Sequence, residues 1–176
     1  MNTNEVITKI KQQKRFNINP HTLQLLEKRN VKSFELIEIP VGKIRRHLDG
    51  KVMSLYKTDP YKFLSDDSDT AKENYEKYVN RPLNREDNPD RSVECFNTLI
   101  NSFSGELYDI KKGIIIVNQF YQVMDGQHRS CILLKKYGED LKIPVLKIKF
   151  GDYKIIGKIR INNFLYNIKK LFGKEV

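Results

Sequence analysis

The sequence predicts an α/β (α+β) fold in which helices flank a mixed β-sheet, and three observations lead to that prediction. Two runs rich in β-branched and aromatic residues, 34–40 and 113–124, have the composition of strands. A third run, 144–150, alternates apolar and polar residues imperfectly. Apolar residues recur at helical spacing between these strands, after Ser92 and again over 131–137. Strand and helix patterns that alternate in this way are typical of a sheet with helices packed on it.

The first predicted elements are a helix and a strand. Asn19 and Pro20 indicate a helix start, with Asn19 as the cap and Pro20 in the first helical position. This helix should end near Asn30, and the strand 34–40 follows and stops at its proline. Residues 43–51 are mostly polar and are interpreted as a connection beside the sheet.

Residues 52–91 form a segment rich in tyrosine, proline and acidic side chains, which we interpret as an insertion. Within it, Thr70-Ala71-Lys72-Glu73 matches a capping box and predicts a short helix from there to about Val79. The acidic stretch 65–69 lacks the spacing of an EF-hand and is interpreted as a solvated loop. An insertion of this size commonly forms a lid or shapes a substrate pocket.

The second half of the chain should contain a helix, a hairpin and a further helix. Ser92 precedes the first of these helices. The strands 114–117 and 120–124 flank Asn118-Gln119, which is interpreted as a tight hairpin turn. The next helix ends at Gly138, a residue suited to the position after a helix.

The last segment, 154–176, has the pattern of an amphipathic helix closed by Gly173, with Lys169 and Lys170 on its polar face. Such a helix can lie on a membrane or bind a partner. Packing against its own domain, or against a second copy in a homodimer, is the favoured interpretation. Its predicted apolar face consists of Ile161, Phe164, Leu165, Ile168, Leu171 and Phe172.

Length and charge limit the classes of protein that the chain can belong to. The 176 residues predict a single domain, 1–176. Lysine and arginine number 32 against 22 acidic residues, and the net charge of +10 favours anionic partners such as nucleotides, nucleic acid or a membrane surface. Lysines that merely solvate the surface are the alternative. The polar stretch 1–14 lacks the apolar core of a signal peptide, and no run approaches the ~18 apolar residues of a membrane span. We therefore expect a cytoplasmic protein without a transmembrane segment.

The cysteines and histidines indicate neither a disulfide framework nor a structural zinc site. Cys95 and Cys131 are too few for a disulfide framework and fall in apolar helical patterns, so both are predicted to be buried free thiols. The cysteines and the three histidines lack the spacing of a zinc site.

The turn 123–130 carries the most information about function. A strand that turns sharply into a helix leaves backbone N–H groups at the helix start, which form a natural anion site. Gly126 lets the backbone approach a ligand closely, and Arg129 adds a guanidinium suited to phosphate. His128 can donate or relay a proton, and Asp125 can bind a metal ion, accept a proton or cap the helix. The set suits nucleotide phosphates, and an ordinary strand–helix corner with Asp125 as its N-cap is the alternative.

The same residues carry a family resemblance. Asp-Gly-Gln-His-Arg (125–129), with Ile-Pro-Val (143–145) shortly after it, resembles the ParB/sulfiredoxin superfamily, whose members have a strand–turn–helix box of the type GERR, GCHR or DGHHR. The upstream segment 99–106 also resembles that superfamily, and the resemblance covers roughly residues 34–49 and 96–150. It implies a compact ParB/sulfiredoxin-like domain.

The box is closest to that of the free-serine kinases. Gln127 stands where sulfiredoxin has its reactive cysteine, so reductase chemistry is not expected. A DGQHR box in place of GERR points away from partition ParB and toward small-molecule kinases. The Walker motif GxxxxGK[ST] and the protein-kinase signatures do not occur in the sequence.

The resemblance implies roles for individual residues. Asp125 would orient Mg²⁺ or accept the proton of the substrate hydroxyl, and His128 would assist catalysis. The residues implied to bind the nucleotide are Gly126, Gln127, His128, Arg129, Ser130 and, from the upstream segment, Ser102.

A second carboxylate is expected across the pocket, where it would position the acceptor hydroxyl. In the resembling serine kinases a catalytic glutamate follows the first strand. Here Glu38 lies within that strand and Asp49 lies after it, so Asp49 fits better by order, although it is a different residue type. A turn residue before Gly50 is the alternative role of Asp49.

The expected function is therefore that of a nucleotide-dependent kinase. It would transfer a phosphoryl group from ATP or ADP, with Mg²⁺, to a hydroxyl of a small metabolite such as a sugar, a polyol or serine. The resemblance suggests surface-polysaccharide precursor metabolism as one setting. A ParB-like regulator that binds nucleotide and DNA is the alternative from another class, and a nuclease is a second alternative. The kinase interpretation predicts no sequence-specific binding of nucleic acid.

Overall fold

A computed structural model of the chain describes residues 2–48, 50–80, 92–103, 108–151 and 164–168. These residues form an α+β fold, which confirms the predicted class. The α-helices whose two ends lie in the described residues are α1 (Thr3–Lys11), α2 (Pro20–Glu27), α3 (Asp59–Ser65), α4 (Asp69–Val79), α5 (Val93–Ser102) and α6 (Gln127–Tyr137). The strands are β1 (Val31–Pro40), β2 (Arg45–Leu48), β3 (Lys51–Ser54), β4 (Ile115–Asn118), β5 (Val123–Asp125) and β6 (Lys142–Phe150).

The main sheet has four strands in the order β1-β6-β4-β5. The central pair, β6 and β4, is parallel, and each outer strand is antiparallel to its neighbour. Strands β2 and β3 form a separate hairpin that touches the main sheet where the Arg45 N–H donates to the Tyr121 carbonyl at 3.0 Å. The sheet is mixed, as predicted.

Both faces of the central strands are buried, because successive residues of a strand point to opposite sides of the sheet. Ile115 and Val117 of β4 face one core, which also contains Leu133 of α6, whereas Ile116 faces a second core with Val6 of α1. The sheet is thus a middle layer between the α1/α2 pair and the α3–α6 helices, and this arrangement fixes the position of α6.

Several predicted boundaries agree with the structure. Asn19 caps α2 by accepting from the His21 N–H at 2.9 Å, with Pro20 in the first turn. Ser92 caps α5 through the Cys95 N–H at 3.1 Å, and Gly138 ends α6 with φ +82°.

Other elements depart from the predictions. The supposed polar connection 43–51 contains β2 and the start of β3, so the prediction of a simple connection was wrong. The cap of α4 is Ser68, whose hydroxyl accepts from the Ala71 N–H at 3.2 Å, and not Thr70. The hairpin turn is longer than predicted because Asn118 Oδ1 accepts from both the Phe120 and the Gln122 N–H, which ends β4 and delays β5 to Val123.

Helices α1 and α3 were not predicted. A capping box between Asn2 and Glu5 starts α1, and α1 buries Val6, Ile7 and Ile10. The chain between 1 and 14 is polar in composition, but those three apolar residues share one helical face, which was the available signal.

The cysteine prediction is half right. Cys131 is fully buried, and burial raises the pKa of its thiol to about 12, partly offset by the Thr58 hydroxyl 3.4 Å away. Cys95 is exposed, which corrects the prediction that both thiols are buried. Both are free.

The C-terminal segment is described only over 164–168, which is helical. Tyr166 is buried there and its ring lies 4.4 Å from the Arg45 guanidinium, so these residues contact their own domain. Phe164 and Leu165 are exposed, which is the reverse of their predicted place on a buried face. The rest of the predicted helix, including Lys169, Lys170 and Gly173, lies outside the described residues.

Candidate functional site

The site is built on the corner where β5 turns into α6. Gly126 occupies the N-cap of α6 in the left-handed region, with φ +85°. A Cβ at this position would lie 2.8 Å from Ile115 Cγ1 and 3.1 Å from Ile115 Cα, so the corner needs glycine for its backbone conformation and for its packing. The first intrahelical bond runs from the Ser130 N–H to the Gly126 carbonyl at 2.9 Å, and the N–H groups of the first turn precede that ladder.

A cavity of about 240 Å³ opens at this helix start. The predicted residues Asp125, Gly126, Gln127, His128 and Arg129 all line it, so the structure brings these together in one place. The other lining residues are Asn19, Arg46, Tyr75, Ser92, Cys95, Phe96, Leu99 and Met124. We call this space the corner cavity.

Asp125 is held from two sides. Its Oδ2 accepts from the Thr22 hydroxyl at 2.8 Å, and its Oδ1 lies 3.5 Å from a terminal nitrogen of Arg129. The two side chains of this ion pair are each about one-fifth exposed, 21% for Asp125 and 20% for Arg129. The N-cap position belongs to Gly126, so the alternative role of Asp125 as the helix cap is wrong. The Asp125 side chain instead lines the corner cavity.

The Arg129 side chain passes over Gly113 and lines two cavities. A Cβ on Gly113 would lie 1.8 Å from Arg129 Nη1, so this glycine leaves the space that the guanidinium occupies. Beyond it lies a smaller cavity of about 50 Å³ that Arg129 also lines. The guanidinium therefore stands at the boundary between the two spaces.

Arg46 provides a second guanidinium at the corner cavity. It comes from β2, within the segment expected to be a plain connection, and no role was predicted for it from the sequence. The run Arg45-Arg46-His47 was the available signal. Two arginines beside a helix N-terminus form an electropositive wall suited to phosphate groups.

His128 is fixed by aromatic side chains. Its Nε2 is 2.9 Å from the Tyr75 hydroxyl, and its ring packs edge-on against Phe96 with centroids 4.5 Å apart. Tyr75 and the neighbouring Tyr78 come from α4 and are buried. The α4 helix of the 52–91 segment therefore contributes to the core beside the site.

Two predicted ligand-binding side chains are more buried than expected. The Ser130 hydroxyl is fully buried and donates to the Gly126 carbonyl at 2.9 Å, so a role as hydroxyl donor to phosphate does not fit this arrangement. Gln127 is 6% exposed, and its Oε1 accepts from the Tyr78 hydroxyl at 3.5 Å. Gln127 still contributes to the wall of the corner cavity.

Ser102 lies at the smaller cavity and not at the corner cavity. Its hydroxyl donates to the Leu99 carbonyl at 2.7 Å, as expected at a helix end. Tyr108 lines the same space and accepts a hydrogen bond from the Ile115 N–H. Burial raises the pKa of Tyr108 to about 12, although the Ile115 bond and the charge of Arg129 act in the opposite direction. The smaller cavity shares Leu99 and Arg129 with the corner cavity, so Ser102 adjoins the predicted site without lining it.

Asp49, the predicted second carboxylate, lies outside the described residues. Among the described residues of the corner cavity, Asp125 is the sole carboxylate. The described residues also contain no group of three or more His, Cys, Asp or Glu side chains able to hold a metal ion.

The comparisons with known proteins give no match, whether to a protein-family model, a curated protein or a solved structure. No helix in the described part of the chain has the length and apolar character needed to cross a membrane.

Proposed function

We propose that the protein is a nucleotide-dependent kinase that transfers a phosphoryl group from ATP or ADP to a hydroxyl of a small metabolite. The observation that carries this proposal is the convergence of Asp125, Arg129 and Arg46 at the N-terminus of α6, on one cavity. Phosphoryl transfer needs mainly positioning and charge neutralisation, which such a set supplies. The DGQHR sequence, with its resemblance to the free-serine kinases of the ParB/sulfiredoxin superfamily, supports the same class.

In the proposed reaction, the acceptor oxygen forms a bond to the terminal phosphorus while the bond from that phosphorus to the bridging oxygen breaks. The leaving group is ADP when ATP is the donor and AMP when ADP is the donor. The two guanidiniums and the first-turn N–H groups of α6 would hold the phosphate oxygens. The acceptor proton would go to Asp125, whose carboxylate the Thr22 hydroxyl orients.

Asp125 would also suit Mg²⁺ as its one carboxylate ligand. This ion commonly takes one or two carboxylates together with waters and substrate phosphates, so a cavity with a single carboxylate among its described residues is compatible with it. Oδ1 of Asp125 forms the 3.5 Å ion pair with Arg129, so Mg²⁺ would bind this carboxylate in competition with that guanidinium and as an alternative to its role as proton acceptor. Bound in this way, the ion would supply charge neutralisation on the phosphates.

The proposal is tested by comparing Arg129→Ala with the matched control Arg29→Ala, because Arg29 is exposed and lines neither of these two cavities. Calorimetric titration with ATP and ADP should show affinity reduced by about a hundredfold or more in Arg129→Ala, as expected when two charge-assisted bonds are lost, and unchanged in Arg29→Ala. Thermal denaturation should remain cooperative in both. Equal affinities in the two variants would contradict the assignment of the site.

A further inference from the structure

A third cavity, of about 180 Å³, adjoins the corner cavity. Arg46 and Gln127 line both, so the two spaces share a wall. The third cavity is otherwise lined by Leu48, Met53, Lys57, Thr58, Asp59 and Tyr78. It lies between the β2–β3 hairpin, the start of α3 and the start of α6.

The lining of this third cavity is that of a site for a small polar molecule. Arg46 and Lys57 are cations, Asp59 is an anion, and among its described lining residues they leave one excess positive charge. Gln127, which is only 6% exposed, places an amide in the wall, and the Tyr78 hydroxyl contacts that amide at 3.5 Å. A few convergent polar groups in a concave space are typical of ligand sites, because they fix the orientation of the ligand.

We propose that the third cavity is the acceptor subsite and that it takes a small anionic alcohol, a molecule with at least one hydroxyl and one carboxylate or phosphate group. This inference rests on the proposed kinase function, since it assigns the acceptor of that reaction. Arg46 and Lys57 bind the anionic group, and Asp59 accepts a hydrogen bond from a second polar group of the acceptor.

The two cavities adjoin at Arg46 and Gln127, and this contact bears on the proposed reaction. The corner cavity would hold the nucleotide phosphates and the third cavity the anionic group of the acceptor. Arg46 and Gln127 border both spaces, so the acceptor hydroxyl would extend past them to the terminal phosphorus and to Asp125, which lines the corner cavity. Asp59 then has the positioning role that the sequence analysis assigned to a second carboxylate. It belongs to the 52–91 segment, which was expected to shape the substrate side.

The test uses the full chain and calorimetric titration with four probes: serine, glycerate, glycerol 3-phosphate and uncharged glycerol. At least one anionic alcohol should bind, and glycerol should bind at least about tenfold more weakly, because a charge-assisted hydrogen bond is lost. Preference for glycerate or serine would identify a carboxylate site, and preference for glycerol 3-phosphate a phosphate site. Glycerol binding as tightly as all three charged probes would overturn the inference.

Two variants with matched controls locate the binding. Lys57→Gln should weaken the anionic probe about tenfold and leave ADP affinity unchanged, whereas Lys62→Gln, an exposed lysine of α3, should change neither. Asp59→Asn should likewise change the affinity for the anionic probe and leave ADP affinity unchanged. Its control is Asp69→Asn, at the exposed first residue of α4, which should change neither affinity.

The outcomes separate the two proposals. If the parent protein does not bind ADP, that result counts against the kinase proposal. Normal ADP binding, combined with probe affinities that are identical in Lys57→Gln, Asp59→Asn and their controls, overturns the acceptor subsite alone.

Discussion

At the scale of single residues, Asp125 is oriented by groups that are far apart in the sequence. Thr22 of α2 donates to one carboxylate oxygen, and Arg129, one helical turn later in the chain, stands beside the other. The α2 helix lies on the opposite face of the sheet from the α3–α6 layer, to which Arg129 of α6 belongs, so both layers contribute to the position of this carboxylate. Such support from separate elements is what holds a reactive group in one geometry.

Replacing Asp125 by asparagine separates catalysis from binding. The amide of the Asp125→Asn variant would keep an oxygen for the Thr22 hydroxyl but would lack the negative charge, so turnover should fall about a hundredfold or more, as expected for the loss of a base or metal ligand. Affinity for metal-free nucleotide should change much less. Steady-state kinetics and calorimetry measure the two effects, with Asp67→Asn, an exposed residue, as the control. Unchanged turnover would restrict Asp125 to a structural role.

Tyr108 gives a prediction about pH. Its folded-state pKa of about 12 lies above the ordinary value of 10.0, so the stability contributed by the neutral phenol is complete below pH 10 and is lost as the pH rises toward 12. Tyr108→Phe removes the acceptor of the Ile115 N–H and should destabilise the protein by about 1–3 kcal/mol at pH 8.

The difference in stability between the parent and Tyr108→Phe should narrow by about 1 kcal/mol at pH 11, because only the parent loses the contribution of this phenol. Urea denaturation at pH 8 and pH 11 measures the free energy of unfolding of both proteins. A difference that stays constant or widens would show that burial of Tyr108 does not disfavour its ionised form.

At the scale of elements, the strand–helix corner and the end of α6 each contain a glycine with positive φ. Gly126 and Gly138 have similar positive φ values, +85° and +82°, but only Gly126 would bring an added Cβ against Ile115. Gly138 has ψ 174°, a conformation essentially restricted to glycine, so Gly138→Ala should cost about 1–3 kcal/mol through the backbone alone. Gly126 has ψ 23°, so Gly126→Ala should cost about 1–2 kcal/mol for the left-handed conformation, and its Cβ adds the close contact with Ile115 of β4.

Nucleotide affinity should fall in Gly126→Ala and stay unchanged in Gly138→Ala, because only the former displaces the first turn of α6 from the corner cavity. Chemical denaturation and calorimetry with ADP provide the two measurements. Equal nucleotide affinity in the two variants would mean that the contact with Ile115 does not determine the corner.

The elements that were predicted correctly are those with a local signal. Asn19-Pro20, Ser92 and Gly138 mark helix boundaries by chemistry that acts within a few residues, and each boundary lies where predicted. The hairpin β2–β3 was missed because Arg45, Arg46 and His47 have little local preference for a strand. The Arg45 backbone instead pairs with Tyr121, a partner that no local pattern reveals.

The same distinction applies to the site. The residues 125–129 line one cavity because they are adjacent in the chain, which a sequence pattern can anticipate. Arg46 and Tyr75 reach that cavity from other elements, through the tertiary packing of β2 and α4. Ser130 was misjudged because its position in the first helical turn points its hydroxyl back to the Gly126 carbonyl.

At the scale of the whole molecule, the layered arrangement concentrates polar groups at one end of the sheet. The central strands are buried on both faces, and α6 starts directly after the edge strand β5. The corner and third cavities lie next to that start, and arginine side chains line them. Part of the positive charge thus lies at these cavities, and the net charge of +10 bears on how the protein would interact with nucleic acid.

The kinase proposal predicts that duplex DNA binds weakly and without sequence preference, because a net charge of +10 attracts phosphates whatever the bases are. Fluorescence anisotropy with two unrelated duplexes should give equal affinities, and both should weaken steeply between about 50 and 200 mM salt as counterion release becomes less favourable. The Arg129→Ala protein should bind DNA about as well as the parent, because one cation among 32 contributes little to a diffuse field. Binding to a defined duplex at least ~1000-fold tighter than to random sequence at physiological salt would instead identify a DNA-binding regulator.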